Sequence, residues 1–126
     1  MGLTLVTGTR NAACNAVVDL IDVGTTDANG DLVFMTSGDV EVATLAFSAT
    51  AFGAASAGVA TANTISDDTN ATGGTVALFK MQDRDNAEVL RGTVAVSGGD
   101  INLSSLSVGA TDTVSVTSLT VTMPAS

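Results

Sequence analysis

Histidine, tryptophan and tyrosine are absent from this sequence, and cysteine occurs once. Without histidine, Ser–His and Cys–His pairs are excluded, and general acid–base work would fall to carboxylates, Lys80 or Cys14. Without tryptophan and tyrosine, base stacking would rest on four phenylalanines. A lone Cys14 forms no internal disulfide framework and reads as a buried free thiol. Positive charge is scarce too: Arg10, Lys80, Arg84 and Arg91 face thirteen acids, for a net charge of −9. Gripping phosphates needs clustered Lys and Arg. The chain would repel nucleic acid and an anionic membrane, so neither is expected as a partner. No enzymatic activity and no cofactor are expected.

What is present is small. Ala (19), Thr (19), Gly (13) and Ser (11) make up about half of the 126 residues. Alanine raises the mean hydropathy to +0.43 while burying little area. The larger apolar residues suffice for one thin core, at about 1.5–3 kcal/mol per buried side chain. The length suits one domain, residues 1–126. The start, MGLTLVTGTRNAAC, lacks a basic region followed by an apolar run, so a cytoplasmic chain is expected. Its Met-Gly opening is not a myristoylation signal, because Val6 stands where Ser or Thr is needed.

The segment from Val42 to Ser66 carries no charge. Thr44, Ser48, Thr50, Gly53, Ser56, Gly58, Thr61, Asn63 and Thr64 break it too often for a membrane span. Close approach of backbones, within the subunit and between subunits, is the expected use of its small-residue part, Thr50 to Ser66.

One helix is expected over about residues 10–23. Cys14, Val17, Val18 and Ile21 recur on one face, with Thr9 as N-cap and Gly24 as stop. Asp19 and Asp22 oppose the helix dipole, so this helix must depend on docking. The rest reads as strands, 2–7, 31–36, 40–48, 75–83, 87–96, 98–108 and 112–123, with 58–66 strand or irregular. Asn29-Gly30 reads as a hairpin dipeptide. In the last strand the apolar face changes between Val116 and Leu119, which predicts a bulge or bend at Thr117–Ser118. The expected fold is mainly β: an antiparallel β-sandwich or jelly-roll-like domain with one short N-terminal helix.

Two segments, DANGD and DRDNAE, place oxygen ligands at alternate positions as calcium loops do. Counted from Asp27, Leu32 and Gly38 stand where an EF-hand needs Gly and Glu, so that pattern fails. DRDNAE reads as a plain hairpin turn and no metal is expected; a calcium site is the alternative, with Asp83, Asp85 and Glu88 as its candidates. TGG (72–74) and SGG (97–99) do not sit between strand and helix and read as turns. The terminal segments GLTLVT and TSLTVTM are uncharged and β-prone. They pair within the subunit, or one adds to a neighbour's sheet.

Three stretches carry a resemblance: RNAACNAVVDLIDVG, ATLAFSATAFGAASAGVATANTISDDTNATGGTVALFKMQD and SGGDINLSSLSVGATDTVSVTSLTVTMP. From about Arg10 to Pro124 the chain resembles a family of small virion structural proteins of tailed bacteriophages. The resemblance implies a head decoration (cement) protein made in the host cytoplasm. It would sit on the outer capsid surface as a homo-oligomer, a trimer, and bind the major capsid protein. The interface candidates are Leu3, Leu5, Arg10, Phe52, Val59, Ile65, Leu119, Val121 and Met123. A tail, baseplate or fibre module that binds other virion proteins or a host receptor is the alternative.

Overall fold

The computed structural model describes residues 3–125. Helix α1 spans Thr7–Asp19 and tightens into a 3-10 turn over Leu20–Asp22. Cys14, Val18 and Ile21 are buried as the periodicity predicts, while Val17 is only half-buried. Gly24 ends the segment at φ +120°, a left-handed conformation that suits glycine. The start differs from the sequence reading. Val6, not Thr9, holds the N-cap position, and no side chain caps it. Leu5 N–H donates to the Ala125 carbonyl at 2.6 Å, and Arg10 N–H to Val6 O at 3.0 Å. A contact from the far end of the chain thus fixes the entry to the helix. Of the expected strand 2–7, Gly2 lies outside the described residues, Leu3–Val6 form no strand and Thr7 is helical.

Among the described residues nine strands follow: β1 (Asp31–Met35), β2 (Glu41–Ala46), β3 (Val59–Thr61), β4 (Gly74–Thr75), β5 (Leu78–Gln82), β6 (Glu88–Ala95), β7 (Ile101–Asn102), β8 (Ser107–Val108) and β9 (Thr120–Thr122). The main sheet has the order β2-β1-β5-β6-β7, and β3-β9 and β4-β8 form separate two-stranded ladders. The chain is therefore mainly β with one short helix, and its main sheet is curled and mixed. The mixed character corrects the all-antiparallel expectation, because β6 and β7 run parallel. The reason is local. The Ser-Gly-Gly-Asp turn doubles back tightly, with Gly98 at φ +77°, and the Asp100 carboxylate accepts Thr93 N–H at 2.9 Å.

The register places the core. Leu32 stands between Leu45 and Met81, and Phe34 between Ala43 and Phe79, so these side chains share one face. All four phenylalanines, Phe34, Phe47, Phe52 and Phe79, are buried. Val33 and Met35 are buried on the opposite face, so the run LVFM is covered on both sides, as a central strand requires. The turns at 36–40 and 83–87 carry Asp39 and Asn86 at positive φ, matching the two hairpins expected there. Asn29-Gly30 makes no hairpin, since no strand precedes β1 among the described residues. The long strands expected over 98–108 and 112–123 resolve into short pieces in different ladders. The chain bends at Thr117, where the change of apolar face predicts it.

The stretch Thr50–Ser66 packs closely against α1. Asn11, Asn15 and Asp22 accept the backbone N–H groups of Gly58, Ala55 and Ala51 at 2.8, 2.8 and 2.9 Å. Arg10 lies flat on Gly58, where an added Cβ would stand 2.6 Å from its guanidinium nitrogen. Small residues are needed because the helix's polar side chains bond the backbone itself. Asp22, unfavourable for the helix dipole, is one of these acceptors.

Candidate interaction surface

Several charged side chains are spent on the protein's own fold. Arg91 holds Glu88 at 2.7 Å and Asp39 at 3.2 Å, reaching from β6 to the turn between β1 and β2. These partners raise the Arg91 guanidinium above its ordinary range and lower the Glu88 carboxyl. Arg10 Nε donates to the Met123 carbonyl at 3.0 Å, and Arg84 donates to the Ala49 carbonyl at 2.7 Å. Burial pushes the Asp31 carboxyl up; a hydrogen bond with Gln82 offsets part of this, and the nearby Asp27 charge adds to it.

The calcium candidates diverge. Asp83 Oδ1 accepts the N–H groups of Asp85 and Ala87 within its own turn, both at 2.9 Å. Asp85 Oδ1 accepts Thr25 N–H and Thr26 N–H at 2.9 and 3.0 Å, and Glu88 pairs with Arg91. Among the described residues, no group of three or more metal-ligating side chains converges. The plain-turn reading of DRDNAE is the one the geometry follows.

Those backbone bonds hold the Asp85 carboxyl below the ordinary carboxylate range. A depressed carboxyl stabilises the fold above its unfolded value, and this is lost as pH falls through the folded value. An Asp85→Asn variant should therefore melt below wild type at pH 7. The gap should close below about pH 4, the ordinary range for aspartate. Thermal melts across pH 2–7 check this.

Several interface candidates turn out to be interior. Phe52, Ile65 and Leu119 are buried, and Phe52 meets Phe47 with ring centroids 5.6 Å apart. Arg10 is half-buried and bonded to Met123. Val59, Val121, Leu5 and Met123 are half-buried, and Val59 pairs with Thr122 where β3 meets β9. Leu3 alone is freely exposed, at 86 %.

The sheet's two edges differ. Along β2, Ser66 N–H and Gly73 N–H donate to the carbonyls of Ala46 and Val42, and the Asp68 carboxylate accepts Thr44 N–H. That edge is covered. β7 ends the sheet with a ladder partner on one side only, among the described residues. Beside it lies a cleft of about 440 Å³, between residues 100–104 and residues 115–120. Ser115, Val116, Thr117 and Ser118 make no backbone hydrogen bond to another described residue. A second opening, of about 350 Å³, is lined by residues 116–119 and 62–65 on the other side, where Ala62 N–H donates to the Leu119 carbonyl at 2.8 Å. The first cleft adjoins a groove along β9 whose lining includes Phe79, Met81 and Leu90.

The sequence reading marked the bend at Thr117 but missed Asn102, Ser115 and Ser118 as surface features. The alternating Ser, Thr and Val of residues 115–118 suit a paired strand, and nothing local says that their backbone is unpaired. No helix among the described residues is long and apolar enough to cross a membrane. The chain matches no protein-family model, no curated protein and no solved structure.

Proposed function

We propose that this protein is a head decoration protein of a tailed phage, acting as a trimeric β-sandwich that clamps neighbouring major capsid protein subunits from outside. The observation that carries the reading is the contrast between its edges. Arg10, Arg91, Asp83, Asp85 and Glu88 are bonded within the chain, while β7 and residues 115–118 leave backbone unpaired. Unpaired strand backbone recruits another chain's backbone. In this reading the main sheet and the β3-β9 ladder form the two layers of the sandwich. A net charge of −9 suits the outer shell wall better than the wall facing packaged DNA.

Binding that spans several capsid subunits stabilises the shell by linkage, about 2.7 kcal/mol per site at a free concentration 100 times Kd. Purified protein should co-sediment with undecorated heads, saturate at a fixed ratio to the capsid protein and raise the temperature of head disruption. Absence from shells, or a copy number of only a handful per particle, would overturn the reading.

A further inference from the structure

We infer that the cleft between β7 and residues 115–119 receives the segment Leu3–Val6 of a second copy, added as a strand. This rests on the self-assembly part of the proposed function.

The cleft has the chemistry of a missing strand. Asn102 follows the alternation of β7: Leu103 N–H turns inward to the Ala95 carbonyl, so the Asn102 N–H and C=O point to the open edge. Across the cleft, the backbone of Ser115–Ser118 is unpaired. An extended segment laid between them would find partners on both sides.

Charge selects the occupant. At a net −9, a copy can dock on another copy only where carboxylates are few or already held. The one carboxylate lining the cleft is Asp100, whose Oδ2 already accepts Thr93 N–H and the Thr93 hydroxyl at 2.9 and 3.2 Å. The incoming segment must be uncharged as well. Residues 3–9 carry no charge, and Leu3 and Val6 are 86 % and 69 % exposed. Those two side chains can cover the half-buried Leu90 in the groove next to the cleft.

Position rules out the segment's own cleft. Leu5 is bonded to Ala125, and the cleft lies at Ser115–Leu119, at the other end of the same terminal segment. The six steps from Leu119 to Ala125 span roughly 20 Å when extended. A segment that lies at one end and a slot at the other give a head-to-tail contact, and such a contact closes into a ring when its rotation allows.

Sedimentation of the full chain tests this, with Leu3→Asp and Thr117→Asp, both at exposed positions. The wild type should associate. Each variant should raise the dissociation constant at least tenfold while melting at the wild-type temperature. As a geometric check, Leu3→Cys and Thr117→Cys chains are mixed and oxidised. They should cross-link to each other more than Leu3→Cys does to Val96→Cys, a control at another exposed site. A monomeric wild type, two aspartate variants that associate as tightly as wild type, or cross-linking no better than the control would each overturn the inference. A monomer that still saturates capsids overturns the arm-in-cleft contact but not capsid decoration. A ring that ignores capsids does the reverse.

Discussion

Phe34→Ala lowers the unfolding free energy by about 3–5 kcal/mol, the usual cost of emptying a large buried aromatic site. Phe34 is fully buried at the middle of β1, with Ala43 on one side and Phe79 on the other. Ala43 is too small to fill the space, and Phe79 is held by its own pairing with Gly92. The effect is large because the core is thin. Half the sequence consists of small residues, and all of its aromatic rings lie in this one cluster. Domains of this size are stable by about 5–15 kcal/mol, so the variant gives up a large share of the total. Urea unfolding measures it; a loss under about 1 kcal/mol would show that the site collapses around the gap.

Gly30→Ala costs about 3 kcal/mol, through overpacking rather than a void. An added Cβ would stand 2.5 Å from Ile21 Cγ2 and 2.7 Å from the carbonyl oxygens of both Ile21 and Gln82. The side chain could turn away, but the two carbonyls belong to the 3-10 turn and to β5. Gly30 O also accepts Phe47 N–H at 2.9 Å, so the residue is held from the β2 side as well. The same urea experiment, with the m-value unchanged, checks that the native state alone is affected. Gly30 is therefore required by a three-way junction, not by turn geometry.

These two sites differ in how far the sequence exposes them. Phe34 is legible: Leu32 and Phe34 alternate with Val33 and Met35 in a short apolar run, and the run could only be a central strand. The helix face of Cys14, Val18 and Ile21 is legible for the same reason, since its contacts repeat with the helical period. Gly30 is misread as a hairpin residue because Asn-Gly is a strong local signal, while its actual constraint comes from Ile21 and Gln82. The start of α1 is misread likewise, because the Ala125 contact that sets it is remote. Strands of two or three residues, such as β4 with β8, cannot be found from pattern, since their pairing joins Gly74 to Val108. The interface candidates fail where burial is concerned. A Phe52 or a Leu119 buried within one chain looks the same in sequence as one buried between two. The open cleft is the hardest to foresee, because it is made by a strand that is not there.

The stitching of α1 onto residues 51–58 and onto Met123 has a mechanical consequence. The first turn of the helix, the middle of the chain and its last strand form one block, and Leu5 and Ala125 meet at its margin. A pull applied near either end of the described chain enters through that block. The bonds from Arg10, Asn11 and Asn15 would have to shear before any tension reached the five-stranded sheet.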